Sequence, residues 1–561
     1  MKKKQRRNSA IMTILSTIVL LVISALTIPF MYQVPDDKYL MQFASGQFTG
    51  KPSDYMIHIR FPISYLYSFL YKFISGVDWY GTIMIAMQLF CFSLLIYKIL
   101  TKIEETKNKV LFLVLSYGII ASMWITEIVS ITYTTSAAVL GLTAIVWYVI
   151  SEQRIQDYVF CGVLMVICYN IRYETLYMVI PFAGVIWLYD FIMKKNKKAP
   201  IIFAMGVVIG LLSVISFDHY MYSSPEWKEL FNYNQSRILL YDYYHDDLLN
   251  YEKYQDEYAK LGMTEVDRDI IESYDVTLKP ELQTNIQELV KVHHEDRSFV
   301  QRFKEDIKKI IVDVILGNKL VTVITFIIWV LALWLIIAHK DKTRLYLSAG
   351  FIALQVMLWL YLGFRGRIMT RVSRSMMFLF SIMALLCVYY FWQDNKEQIH
   401  WDKIPRALIA GCCVVLAVTS VLSFAKQRKI NVKSVNNSNY RDVEAYCNSN
   451  KDNFYFLDLY SISDYEGGYR YQFFNKNQYS NFVMLGDWMG YSPLFWKKLN
   501  NRGIENIQDA IFEKDNIFVI ASYDKDISFI EKLRENVTCK VVDTIEGYED
   551  RKYLVYQYRV N

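Results

Sequence analysis

The chain has 561 residues, 54% of them hydrophobic and 16% aromatic, with 21% charged and a formal net charge of +6. That composition excludes a row of ordinary soluble domains, and the absence of a basic face with interleaved aromatics excludes a nucleic-acid partner. Charged residues gather in short blocks between long apolar runs, as in a multi-spanning membrane protein whose lysines and arginines act as orientation signals.

The opening "MKKKQRR" leads into an apolar run that is long for a signal peptide and lacks a small-x-small cleavage site, so it reads as an uncleaved first span, Ile11 to Met31. Further runs able to cross a bilayer as helices lie at Trp79 to Leu100, Val110 to Ile125, Thr132 to Ile150, Tyr158 to Tyr169, Tyr177 to Met193 and Ile201 to Phe217. Four more follow at Leu320 to Ala338, Leu345 to Phe364, Met376 to Trp392 and Ala407 to Phe424, which makes about eleven spans. With "MKKKQRR" in the cytoplasm, "KIEETKNK", "SEQR", "KKNKK", "HKDKTR" and "DNKEQIHWDKIPR" fall on the same side. The short run Tyr158 to Tyr169 fits this parity only if "CYNIRYETLY" is the outer tip of a tight hairpin, and the parity leaves "KQRK", Lys426 to Lys429, outside.

Three sizeable segments then face outward. Tyr32 to Asp78 contains "VPDDKY", with Asp36 and Asp37, then "SDYMIHIR", then an amphipathic "ISYLYSFLYKFI" suited to the membrane interface. Asp218 to Gly317 has helical charge patterning, and its "FNYNQSRILLYDYYHDD" suits either contact with a glycan or capping of the membrane domain. The chain divides into a membrane domain, 1–425, and a soluble domain, 426–561, whose strand candidates "FYFLDL", "FVML", "NIFVIA", "CKVV" and "YLVYQY" alternate with helices such as "DISFIEKLREN". Six of the eight cysteines fall inside apolar runs; Cys447 and Cys539 lie in the soluble domain, where a disulfide is open to them outside the cytoplasm.

The turn "FRGRIMTRVSRS" carries Arg365, Arg367, Arg371 and Arg374 on the outer side, against the positive-inside trend. An anion such as a lipid phosphate, matched by guanidinium forks, accounts for the exception; a snorkelling flank is the alternative. Arg172 in "NIRYE" is either a further anion contact or the partner of Glu174, and Glu127 is a carboxylate at membrane depth that reads most simply as a solvated loop end. Asp54, His58 and Arg60 share the first outer loop, with Asp54 and His58 at helical i, i+4 spacing, either on an exposed face or contacting a sugar or metal. A carboxylate beside such a cation cluster can hold an acceptor hydroxyl, take its proton, or coordinate a divalent metal such as Mg or Mn.

This layout resembles the GT-C class of integral-membrane glycosyltransferases, which includes protein O-mannosyltransferases, aminoarabinose transferases and oligosaccharyltransferase catalytic subunits. The resemblance rests on "VPDDKYLMQFASGQFTGKPSDYMIHIRFP" in the first outer loop, many spans, and a soluble outer domain at the C-terminus. It implies a polyprenyl-phosphate sugar as donor, inversion at the anomeric carbon, and a glycan, cell-wall polymer or lipid as acceptor. It further implies that Asp36 or Asp37 activates the acceptor, with Asp37 preferred as farther from the proline, and that Arg365, Arg367, Arg371, Arg374 or Arg172 receives the leaving phosphate. The rivals are a polymerase or ligase of lipid-linked glycans, and a transporter or flippase, for which mid-span charges are expected and few are present. The expected place is a cell membrane, N-terminus cytoplasmic and C-terminal domain extracytoplasmic.

Overall fold

A computed structural model describes residues 2–561 except 194–196, 244–245, 294–297, 366, 395–405, 464–467 and 475–477. Parts of "KKNKK" and "YDYYHDD", and nearly all of "DNKEQIHWDKIPR", therefore lie outside the described residues. Each of the predicted apolar runs is helical over most of its length, in Lys2–Thr27, Trp79–Leu100, Thr106–Met123, Tyr133–Ile150, Ile155–Ile171, Tyr173–Met193, Lys198–Met221, Lys319–Ala338, Lys342–Phe364, Thr370–Asp394 and Arg406–Asn436; the first run, Ile11 to Met31, overshoots its helix into strand Met31–Tyr32. Among the described residues, 9 helices are long and apolar enough to cross a membrane. Thr106–Met123, polar over its first turn, and the 17-residue Ile155–Ile171 fall short of that standard, which is why the sequence count is higher.

Tyr133–Ile150 is the central helix, buried along nearly all its length, and its small residues let neighbours approach closely. A Cβ on Gly141 would stand 2.7 Å from a Val179 methyl. Ile155–Ile171 and Tyr173–Met193 both pack on this helix, so the chain turns back at Arg172, whose backbone is extended, and the tight hairpin is realised. The N-terminal basic stretch lies against the "KIEETKNK" loop, with Gln5 donating to the Ile103 carbonyl at 3.1 Å and Lys109 Nζ to Ser9 at 3.0 Å. Lys2–Thr27 exposes most of its apolar side chains, as a helix facing lipid does.

Two sheets tie the far end together. Strands β1 (Met31–Tyr32) and β2 (Ser130–Ile131) pair in parallel, and β1 pairs antiparallel with β4 (Tyr469–Arg470), so three distant stretches share one small sheet; β3 (Phe454–Leu457) lies between β2 and β4 in chain order. Strands β5 (Phe482–Met484), β6 (Ile517–Ser522), β7 (Val537–Glu546) and β8 (Lys552–Val560) join β3 in a five-stranded sheet of order β5-β3-β6-β8-β7. Pairs β3/β5 and β3/β6 are parallel; β6/β8 and β7/β8 are antiparallel. All the predicted strands are thus in one α/β sheet, but "DISFIEKLREN" holds only a short 3-10 turn, Ser528–Leu533, not an α-helix. Cys447 and Cys539 are unbonded thiols, the first on the buried face of helix Asn439–Ser449 and the second on β7.

The central segment is largely helical and packs against the C-terminal domain. Thr277 N donates to the Leu485 carbonyl at 3.0 Å, and Gln508 Nε2 to the Leu278 carbonyl at 2.9 Å. Gly486 admits no side chain: a Cβ there would stand 1.7 Å from the Tyr274 carbonyl oxygen.

Candidate active site

"VPDDKY" is not a loose loop. Val34, extended, precedes helix Pro35–Ser45, and proline occupies its first turn, where no amide hydrogen is needed and φ is already helical. Asp36 and Asp37 sit in that turn, where the helix dipole favours negative charge. Adjacent helical residues point about 100° apart, so the two carboxylates meet different surroundings.

Asp37 faces inward and is fully buried. Its Oδ1 accepts from the Tyr80 hydroxyl at 2.6 Å and from the Tyr133 backbone N–H at 3.0 Å. Burial pushes its carboxyl up to about 7, and Oδ2 has no hydrogen-bond partner. Asp36, half-buried, faces the cations: Oδ1 accepts from Trp488 Nε1 at 3.0 Å, and Oδ2 from the Tyr133 hydroxyl at 3.1 Å. Burial works to raise its carboxyl, but the surrounding charges, Arg371 and Arg172 among them, together with the Tyr133 hydroxyl hold it below the ordinary carboxylate range. The carboxylate that meets the arginines is therefore Asp36; distance from the proline, which favoured Asp37, does not decide the matter.

The arginines do not form a single cluster. Arg367 pairs with Asp242 at 2.9 Å, and Arg365 lies 4.8 Å over the Tyr243 ring, so both are engaged by the central segment. Arg374 pairs at 3.1 Å with Glu127 and donates through Nε to Asn318 at 2.7 Å. Glu127 is not a solvated loop end: it is wholly buried, burial raises its carboxyl despite Arg374, and its Oε2 has no partner. Arg172 pairs with Glu174 at 3.0 Å, donates to the Tyr133 hydroxyl at 2.8 Å and stacks on the Tyr133 ring. Arg371, in the first turn of Thr370–Asp394, has no ion-pair or side-chain hydrogen-bond partner among the described residues, yet its charge acts on both Asp36 and Glu127.

The remaining first-loop residues divide. Residues 51–62 are not helical, so Asp54 and His58 share no helix face. Asp54 pairs with Lys72 at 3.0 Å and accepts from Ser68, away from the arginines. Arg60 pairs with Asp218 at 2.7 Å, tying the first loop to the central segment. His58 does join the site: its ring lies 4.3 Å from the Trp488 ring, and burial, with Arg172, Arg237 and Arg60 nearby, pushes it down to about 3, leaving a neutral imidazole beside Asp36. Among the described residues no three His, Cys, Asp or Glu side chains gather as a metal site.

Sequence reasoning missed Tyr133, Asp487, Trp488 and Lys426. Lys426 lies close enough to Arg374 and to Lys319 for their charges to interact, so "KQRK", read only as an anomaly of orientation, carried a second signal. "GDWMG" offered one as well, an acid and an indole bracketed by glycines.

No protein-family model matches the sequence, and no curated protein matches it. Among solved structures, ArnT from Cupriavidus metallidurans in the apo state superposes with a TM-score of 0.52 at 10% identity, over 97% of each chain. The same protein bound to undecaprenyl phosphate gives 0.51 at 9% identity, again over 97% of each chain. The likeness runs through the bundle and the C-terminal sheet alike, and this chain has the fold of ArnT.

Proposed function

We propose that the protein is a glycosyltransferase that uses a polyprenyl-phosphate-linked sugar and transfers it, with inversion, to an acceptor hydroxyl on a surface glycan, cell-wall polymer or lipid. The observation that carries this reading is Arg371, a guanidinium at a helix N-terminus with no partner among the described residues, acting on the half-buried carboxylate of Asp36. That an ArnT structure holds undecaprenyl phosphate supports a lipid phosphate as the anion.

In this mechanism the acceptor hydroxyl sits on Asp36, held in place by Trp488 and Tyr133. As the acceptor oxygen bonds to the anomeric carbon, the bond from that carbon to the phosphate oxygen breaks, its electrons leave with the phosphate, and the acceptor proton passes to Asp36. Arg371, backed by the helix dipole, receives the growing phosphate charge, while Arg172 steadies the Tyr133 hydroxyl on Asp36. Neutral His58 offers a hydrogen bond without competing for the anion.

Arg371→Gln is expected to weaken undecaprenyl phosphate binding in nanodiscs by about 10- to 100-fold, the worth of a charge-assisted hydrogen bond. Arg365→Gln, whose arginine stacks on Tyr243, serves as the control and keeps wild-type affinity. Equal affinity for Arg371→Gln and wild type removes the phosphate site. We place transfer on the outer face, with the N-terminus inside, because the inner loops share positive charge. A topology reporter fused after Ser375 is expected to read outside; a cytoplasmic signal there reverses the assignment.

A further inference from the structure

The loop after β5, "LGDWMGY", Leu485 to Tyr491, reaches Asp36 from the C-terminal sheet. Its path is fixed by contacts that leave little freedom. Gly486 lies against the Tyr274 carbonyl, a Cβ on Gly490 would stand 2.8 Å from the Thr277 methyl, and Asn234 Nδ2 holds the Trp488 carbonyl at 3.0 Å. Within it Asp487 adopts φ +79°, a left-handed conformation that few non-glycine residues take. Such strain persists only where surrounding structure enforces it, and it gathers at functional sites.

The turn itself accounts for half of this side chain. Oδ1 accepts from the Trp488 N–H at 2.7 Å, and the Asp487 carbonyl accepts from Gly490 N at 3.1 Å. Oδ2 is buried and has no partner, on a residue only 6% exposed. An unpaired buried carboxyl oxygen is costly, so native structures satisfy it or reserve it for a ligand. Its charged surroundings say which side it faces. After burial, the strongest influence on it is Asp36, followed by the Trp488 N–H, Arg237 and Asp242. Arg237 is already bound, to Asn234, to Tyr274 and to Asp242. Burial and the neighbouring Asp36 push the Asp487 carboxyl up to about 7, which suits a group that both gives and accepts hydrogen bonds near neutrality.

We infer that Asp487 binds a ring hydroxyl of the donor sugar, through Oδ2, in a subsite that the C-terminal region contributes to the transfer site. The inference rests on the transferase reading above. There the anomeric carbon lies between a phosphate on Arg371 and a hydroxyl on Asp36, so the ring hydroxyls next to that carbon fall beside Asp36, where Asp487 stands.

The test compares wild type with Asp487→Gly, which suits the left-handed backbone, and Asp487→Ala, in full-length protein in nanodiscs. The probes are undecaprenyl phosphate and undecaprenyl phosphate carrying glucose, mannose, galactose or arabinose. The readout is the ratio of affinities, sugar-bearing lipid over bare lipid, which cancels a general loss of fold or of phosphate binding. In both variants that ratio is expected to fall by about ten-fold or more for the sugar the wild type prefers. A ratio within about two-fold of wild type overturns the subsite and leaves the transferase reading in place. A wild-type protein that binds bare undecaprenyl phosphate but none of the sugar-bearing forms overturns both.

Discussion

Asp36→Asn is expected to slow sugar transfer by about 10²- to 10⁴-fold, the range of a lost general base, with undecaprenyl phosphate still bound. Asparagine keeps the shape: its Oδ1 still accepts from Trp488, and its amide nitrogen donates to the Tyr133 hydroxyl where the carboxylate accepted, so the helix survives while the proton acceptor does not. Asp37→Asn is expected to retain turnover, because Asp37 serves the Tyr80 hydroxyl and the Tyr133 amide rather than the reacting groups. The pH profile separates the two further. Asp36 acts as a base only when ionised, so activity falls as pH drops through its folded pKa. That value is held below the ordinary carboxylate range, so the acid limb lies lower than an ordinary aspartate would place it. Turnover within ten-fold of wild type for Asp36→Asn, with Asp37→Asn inactive, would return the catalytic role to Asp37.

The largest effect on stability is expected at Arg374. Replacing it with Met strands a wholly buried carboxylate, Glu127, and removes the partner of Asn318. Breaking a buried pair from one side costs about 3–5 kcal/mol, because the remaining charge has no compensation. Removing both charges in Glu127→Leu/Arg374→Met is expected to recover most of that loss. Thermal unfolding of the single and double variants in nanodiscs reads the difference. A double variant no more stable than Arg374→Met would show that the pair is not what holds this corner together.

The spans were readable because the length and apolarity of a run suffice to name a membrane helix, and each predicted run is helical over most of its length. The acidic pair was readable by its place after the first span, but not by its roles. Those follow from a helix that turns Asp36 toward Arg371 and Asp37 toward Tyr80, a direction that the spelling "PDD" does not carry. The arginine turn shows the same limit. Four guanidinia can be counted from the sequence, but which are engaged depends on Asp242, Tyr243 and Glu127, brought in from far along the chain. Asp487 and Trp488 stand farther still from Asp36, and a soluble domain read by its strands gives no hint that one of its loops enters the membrane domain's site.

The small sheet around β1 bears on how the molecule is made. Met31 and Tyr32, a few residues ahead of the acidic pair, bond sideways to residues 130–131 and to residues 469–470, and Tyr471 N donates to the Phe30 carbonyl at 3.0 Å. A ribosome delivers the first of these segments long before the last. Until the C-terminal strands arrive, β1 lacks its antiparallel partner and Asp36 lacks its indole. The last contact of Asp36 is therefore made near the end of synthesis, and a chain ending between Asn437 and Asp487 carries every span and both aspartates without the Trp488 bond.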